Sequence, residues 1–327
     1  MAARMDVPVI GTKGTPYPRE KGWQVSTGYR WQRSHRHFVG SEEQHERAED
    51  SSEVVNNIHL VDVTTRYQAT RRISLSVGVP YFMATRSFPI RNAAREVIDR
   101  SLTQARGPGD LAFSARRWMM DPDRCANGNV SLGLGFKLPT GEASALDVRR
   151  RFSNGAIVST IEPVDQSIQP GDGGFGITAE AAGFRRLGGR VLGYASATYL
   201  LNPQETNHTF RGGTNPITRY MSVADQYLVR AGMARSFGSW TGSLGGRLEG
   251  VPSEDLLGGS NGFRRPGYAA SVEPGLSYTR GQYSVSLGVP FAVYRNRTRS
   301  VSDKANGGHG DAAFADYLVL VGVSRSF

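Results

Sequence analysis

Twelve stretches in which side chains alternate between apolar and small or polar divide this chain, and the links between them are short and long by turns. The stretches read as strands at about 22–33, 54–68, 72–84, 109–119, 129–138, 172–183, 190–201, 222–237, 239–249, 267–279, 282–294 and 311–327. Short links fall at 69–71, 120–128, 184–189 (FRRLGG), 236–239 (SFGS) and 279–282 (TRGQ). Long links fall at 34–53, 85–108, 139–171, 202–221, 250–266 and 295–310. A soluble sandwich or propeller has no reason to keep that order. A barrel spanning the outer membrane does, because its periplasmic turns are short and its extracellular loops long. An even strand number puts both termini at the periplasmic end, and closure removes the edges that an open twelve-stranded sheet would expose. The fold expected is therefore all-β, a twelve-stranded antiparallel transmembrane barrel over 22–327 behind a periplasmic tail, 1–21. One helix-like stretch, NAAREVIDRSL at 92–102, interrupts the pattern.

Hydropathy agrees once strand geometry is considered. No run of 18 apolar residues exists, which excludes a transmembrane helix, and mean hydropathy is −0.38. A membrane strand needs only about 9–11 residues and shows half of them to lipid. In strand three Leu75, Val77, Val79 and Tyr81 share one face, opposite Ser74, Ser76 and Gly78. Strand five sets Leu132, Leu134, Phe136 and Leu138 against Ser131, Gly133, Gly135 and Lys137. Aromatic residues recur near strand ends (Trp23, Trp31, Tyr67, Tyr81, Tyr278, Tyr283 and Phe291 among them), as interfacial girdles require. The last strand, DYLVLVGVSRSF, puts Tyr317, Val319, Val321, Val323 and the terminal Phe327 on one face. That pattern resembles the carboxy-terminal signal by which the barrel assembly machinery of Gram-negative outer membranes recognises its substrates. The cell outer membrane of a Gram-negative bacterium is accordingly the expected location.

A longer repeat sits on top of the alternation. SLSVGVPY (74–81) returns as SVSLGVPF (284–291), and three ascending strands carry Pro80, Pro139 or Pro290. The strand after each opens on Gly-Asp, giving Asp110, Asp172 and Asp311. Proline cannot donate to a ladder, so it marks a bulge or the end of pairing, and Gly-Asp suits a tight bend. The simple reading is punctuation at the extracellular rim; the functional one is a ring of three carboxylates at the mouth. The phrases GPGDLAF (107–113) and GLGFKLPTG (133–141) resemble a family of outer-membrane proteins linked to the meta pathway of phenol degradation, the MetA type. The resemblance implies a twelve-stranded barrel that passes small hydrophobic or aromatic compounds, and it carries over no individual functional residue.

By parity the lumen face holds Arg30, Arg66, Arg116, Lys137, Arg230 and Arg247 against Asp62, Glu180, Glu249, Glu273 and Asp316. These charges either fill a narrow barrel as ion pairs or line a water-filled path and set its selectivity. The formal net charge is +10, with surplus base in the loops, notably Arg86, Arg91, Arg95, Arg100 and Arg106 in the second and Arg295, Arg297, Arg299 and Lys304 in the last. Lipopolysaccharide phosphates are the expected partner, beside outer-membrane lipid and a small-molecule solute; no basic helix points to nucleic acid. The first loop is acidic and holds His35, His37 and His45, read as a solvated loop rather than a metal site. Cys125, the one cysteine, cannot form an intrachain disulfide. Ser260-Asn261 resembles the serine stretch of outer-membrane phospholipases, but Gly258 stands where their histidine would be. A nucleophile without its base is inert. No cofactor motif is present, since GDGGFG (171–176) has no βαβ setting and KLPTGEAS lacks a phosphate-loop ending. The expectation is a passive channel, not an enzyme; the alternative is a closed structural barrel with a salt-bridged lumen.

Overall fold

The computed structural model describes residues 21–327; the expected tail, apart from Lys21, lies outside the described residues. Twelve wall strands close a barrel: β1 (Gly22–Val39), β2 (Val55–Gln68), β3 (Ile73–Arg91), β4 (Val97–Pro108, resuming as Ala112–Trp118), β5 (Gly128–Lys137), β6 (Gly176–Gly188), β7 (Val191–Leu201), β8 (Gln226–Phe237), β9 (Trp240–Val251), β10 (Gly267–Arg280), β11 (Tyr283–Gly288, resuming as Phe291–Asn296) and β12 (Ala312–Ser326). Each pairs antiparallel with the next, and β12 returns to β1 from Gln24↔Ser326 to Phe38↔Ala312. All twelve strands read from the sequence are present, and the connections alternate short and long as expected except between β3 and β4, where five residues, 92–96, join the strands.

Which way each face points follows from exposure. On β5, Val130, Leu132, Leu134 and Phe136 are exposed, while Asn129, Ser131 and Lys137 are buried. The same holds for Leu75, Val77, Val79 and Tyr81 on β3 and for Val285 and Leu287 on β11. The apolar residues therefore form an outer belt and the small polar ones face inward, the arrangement of a membrane-spanning wall. Aromatic pairs border the belt: Trp23–Tyr67 at 4.7 Å and Trp240–Tyr278 at 4.8 Å on the short-turn side, Trp31–Tyr317 at 5.8 Å and Phe136–Phe175 at 5.9 Å on the loop side.

The helix expected at 92–102 is absent. β3 continues to Arg91, a turn closes with the Asn92 amide on the Glu96 carbonyl at 3.0 Å, and β4 returns from Val97. Along β4 buried Ser101, Thr103 and Ala105 alternate with exposed Leu102, Gln104 and Arg106, a period of two. The ladder with β3, from Arg91↔Val97 to Tyr81↔Pro108, outweighs the local helix preference of this segment. This corrects the second long link to a hairpin that carries the wall beyond the membrane.

The prolines do not act alike. Pro80 stays inside β3, and it is the neighbouring β4 that breaks at Gly109, whose amide donates to the Pro80 carbonyl at 2.8 Å. β5 ends two residues before Pro139, and Pro290 lies in the break of β11, its carbonyl accepting from Leu318 at 3.0 Å. Beyond the end of β5 a hairpin, Leu146–Ser153 with Ala156–Pro163, stands beside the upper part of β4. It is tied there by the Arg150 amide on the Ser101 hydroxyl at 3.0 Å and the Gln104 amide on the Asp147 carboxylate at 2.6 Å.

Candidate functional site: a lumen bridged at two levels

A cavity of about 860 Å³ lies inside the barrel. Its lining reaches from Gly22, Gln68 and Phe327 at the short-turn end to His37, Asp172 and Arg265 at the loop end. Hydroxyl-bearing side chains line its lower part (Ser26, Thr64, Ser74, Ser76, Ser284 and Ser324), opposite a packed cluster of Trp118, Phe184, Leu192, Tyr194 and Ala234. Glycine makes room for that cluster: a Cβ on Gly232 would fall 2.8 Å from the Tyr194 hydroxyl. Leu60, Phe82, Leu200, Leu228 and Leu318 line the middle.

At mid-height an ion-pair network crosses the space. Arg30 on β1 reaches Glu249 on β9 (Nη2–Oε1 3.2 Å), four strands away by the shorter route. Arg30 also donates to Gln32 Oε1 at 2.7 and 3.1 Å. Glu249 accepts from Arg247 at 2.6 Å, and Arg230 on β8 forms a two-pronged pair with Glu273 on β10 at 2.7 and 2.9 Å. Arg247 approaches Glu273 at 4.0 Å, so one chain of charges links β1, β8, β9 and β10. Register explains how bare charges survive here: each sits beside its counter-ion, and leucines fill the rest. Arg30 lies between Leu60 and Leu320, and Glu249 is paired with Leu228.

A second bridge crosses the mouth. The segment 163–170, entered from the hairpin and holding a 3₁₀ turn at Gln166–Ile168, crosses between opposite walls. Val164 and Ile168 are buried against Ile58, Leu60, Phe82, Ala84 and Ala105 of β2, β3 and β4. Asp165 pairs with Arg265 just before β10 at 2.8 and 2.9 Å, and with Arg86 on β3 at 3.6 Å. Burial alone would push the Asp165 carboxyl up, but Arg265 and Arg86 overcome it and hold it well below the usual carboxylate range. Gln166 donates to the Ser222 carbonyl at 2.6 Å on the far side. We call this segment the strap. Sequence parity could not reveal it, because 139–171 carries no signal of where a loop folds.

The remaining expected residues separate into groups. Arg116 on β4 meets Glu180 on β6 at 2.8 Å, reaching over Gly133 of the strand between. A Cβ on Gly133 would fall 3.3 Å from the Glu180 carboxylate. Asp62 accepts from Thr64 at 2.7 Å and lines the cavity, as does Arg66. Asp316 does not: register shifts around Ser34 take it out of the simple alternation, and it pairs with Arg36 and Arg295, each at 2.8 Å. The three rim aspartates do not form one ring. Asp110 and Asp172 share Lys137, whereas Asp311 pairs with His37 at 2.6 Å and Arg47 at 2.7 Å. What the repeat motifs do share is a node of backbone. A Cβ on Gly141 would lie 2.9 Å from the Cα atoms of both Gly109 and Gly171. Asp110 accepts the amides of Gly141 and Asp172 at 3.0 and 3.1 Å, and Thr140 accepts that of Leu111 at 2.9 Å.

In the last strand Tyr317, Val323 and Phe327 are exposed, and Val319 and Val321 stand in register with Trp31 and Tyr29 of β1. His37 is buried, its Nε2 accepting from the Val54 amide at 2.8 Å, while His35 and His45 each lie nearest a different carboxylate. Among the described residues no group of three or more His, Cys, Asp or Glu could hold a metal ion. The Ser260 hydroxyl accepts from the Asp255 amide at 2.9 Å within its loop.

Comparison with known proteins adds the fold. No protein-family profile matches the chain, and no curated protein matches its sequence. Among solved structures, an outer membrane channel from Pseudomonas putida F1 is similar over 95% of this chain and 97% of its own, with TM-score 0.58 and 11% identity. The β domain of the Bordetella autotransporter BrkA is similar over 94% and 100%, with TM-score 0.50 and 12% identity. This is an outer-membrane type of β-barrel. At such identities the likeness speaks for the fold alone, and a channel and an autotransporter domain share it.

Proposed function

We propose that the chain is a passive channel for small molecules in the outer membrane of a Gram-negative bacterium, with hydrophobic or aromatic compounds as its cargo. One observation carries this reading: a cavity of about 860 Å³ inside a closed wall, lined at mid-height by apolar side chains around the ion pairs and by hydroxyls below. A side-chain-filled barrel leaves no such space, and twelve strands stand between a filled eight-stranded barrel and an open porin. The Pseudomonas neighbour, an outer membrane channel, points the same way, and the resemblance of GPGDLAF and GLGFKLPTG to the phenol-pathway family supplies the cargo class. No reaction is assigned.

A specific feature favours a second reading, a closed barrel whose role is structural or at the cell surface: the strap crosses the mouth from Arg86 to Arg265. In that reading the basic loops hold lipopolysaccharide phosphates. Purified protein in planar bilayers separates the two. Discrete current steps, with solute uptake by proteoliposomes, are expected of the channel; a tight seal with no uptake of any solute removes it in favour of the closed barrel.

A further inference from the structure

The outward face of the wall changes character at its short-turn end, and one row of side chains there is built unlike the rest. Arg280 on β10, Tyr283 on β11 and Arg325 on β12 stand in register, Arg280↔Tyr283 and Tyr283↔Arg325, and all three are exposed. Neighbouring strands lie about 4.8 Å apart, which puts the two arginines about 10 Å from each other with the phenol between them. The Arg325 guanidinium lies over the rings of Tyr283 at 5.3 Å and Phe327 at 4.5 Å, aromatic faces that hold its charge at the edge of the apolar belt. Among the described residues no ion pair engages Arg280 or Arg325; the side-chain carboxylates of this end, Asp121 and Asp123, are held by Arg72 and Arg71.

Toward mid-membrane the same faces continue as Leu276, Val285, Leu287 and Val323, all exposed. Two guanidiniums flanking a hydroxyl, with an apolar surface beginning beside them, match a phosphate diester that carries acyl chains. The planar forks grip phosphate oxygens, the phenol donates a further bond, and the chains lie along the leucines and valines. Other outward arginines of this end lack a second arginine in their row. Arg117 is in register with Ile73 and Leu132, Arg185 with Gly128 and Gly193, and Arg235 with Val191 and Gly242. Charge then sorts the headgroups. Phosphatidylethanolamine brings an ammonium against the guanidiniums, and phosphatidylglycerol does not.

We propose that Arg280, Tyr283 and Arg325 form a binding site for one anionic phospholipid, of the phosphatidylglycerol class, in the periplasmic leaflet. The short turns face the periplasm, so lipopolysaccharide in the opposite leaflet does not reach the row. The inference stands on the wall of the barrel and is independent of the channel reading.

Native mass spectrometry of the detergent-solubilised protein, given equal amounts of dioleoyl phosphatidylglycerol and dioleoyl phosphatidylethanolamine, tests this. Wild-type protein is expected to retain one phosphatidylglycerol in preference to phosphatidylethanolamine by roughly tenfold. Arg280→Gln combined with Arg325→Gln is expected to bring the two lipids level. Arg185→Gln combined with Arg235→Gln removes the same charge from the same end and is expected to keep the preference. Heat-modifiable mobility on gels shows that each variant has folded. If the change in the closing strand prevents folding, Arg280→Gln alone, with a loss of roughly threefold, carries the test. Equal retention of both lipids by the wild type, or a preference unmoved by the changes in the row, overturns the inference. An equal loss in both pairs of variants overturns it too, because diffuse surface charge then does the sorting.

Discussion

Replacing Asp165 by asparagine removes the anion that both walls of the mouth share. The carboxylate makes a two-pronged pair with Arg265 at 2.8 and 2.9 Å and lies 3.6 Å from Arg86, with its side chain 15% exposed. Removing one partner of a buried pair costs about 3–5 kcal/mol, because the charges left behind lose their counter-ion. The partial exposure argues for the lower end, about 3 kcal/mol. Against that stands the apolar anchor. Val164 and Ile168 are at most 2% exposed, and such side chains contribute about 1.5–3 kcal/mol each. The strap should therefore loosen without leaving its seat, its opening equilibrium rising roughly a hundredfold.

Hydrogen exchange of the amides at 163–170 reads that equilibrium directly, and single-channel records read its consequence. Exchange in Asp165→Asn is expected to speed up by roughly two orders of magnitude, with longer or more frequent open intervals. Exchange within a few-fold of wild type would refute the ion pairs as the latch. The pH dependence supplies an independent check of sign. Because the folded-state carboxyl titrates well below its ordinary range, its contribution is present above the ordinary value of about 3.9 and fades only as pH falls through the lowered one. Wild-type exchange, corrected for intrinsic rates, should stay flat from neutrality down to about pH 4.

Three further outcomes follow from the wall. Leu134→Arg puts a guanidinium at a 66% exposed site on the lipid face and should cost about 2–4 kcal/mol in urea unfolding from lipid vesicles; an unchanged midpoint would move the membrane elsewhere. Gly141→Val meets backbone on both sides, at 2.9 Å from Gly109 and Gly171, so no side-chain shift relieves it. A loss of about 1–3 kcal/mol in the same assay is expected, and wild-type stability would show that the node is not tight. Deleting Phe327 removes the 2.8 Å bond from its amide to the Trp23 carbonyl and a ring beneath Arg325. Yield in cells should fall far more than refolding into detergent, and an equal fall in both would deny it a role as an assembly signal.

The wall was readable because a barrel strand writes its two environments on alternate residues. Leu132, Leu134 and Phe136 against Ser131, Gly133 and Gly135 require nothing from the rest of the chain to be understood. The same parity assigned Arg30, Arg116, Arg230 and Glu249 to the inside, where they stand. It could not say which of them meet. Arg30 and Glu249 lie 219 residues apart, and the contact depends on barrel circumference and stagger rather than on spacing. Parity also has no defence against an inserted residue, which is how Asp316 was misplaced. The loops were opaque for a different reason. NAAREVIDRSL satisfies a helical pattern locally, and only the extended β3 beside it makes strand the better solution. Nothing in EPVDQSIQP announces that Val164 and Ile168 insert into the mouth of the barrel, because two apolar residues have no periodicity.

A barrel of this girth faces a conflict that these features resolve together. Its lumen is too wide to be filled by one shell of side chains, and water admitted along its whole length would leave an unselective hole. Opening it safely requires contacts that hold firmly when no solute is present and yield to the right one. Apolar packing across the middle would be indifferent to charge, and a ring of like charges would repel itself. A cross-lumen ion pair joins opposite walls while leaving much of the space between them unfilled. The strap above it is built on the same plan, with Asp165 shared between Arg86 and Arg265 as Glu249 is shared between Arg30 and Arg247. In each case one carboxylate joins an arginine on its own side to one across the gap, Arg247 to Arg30 through Glu249 and Arg86 to Arg265 through Asp165.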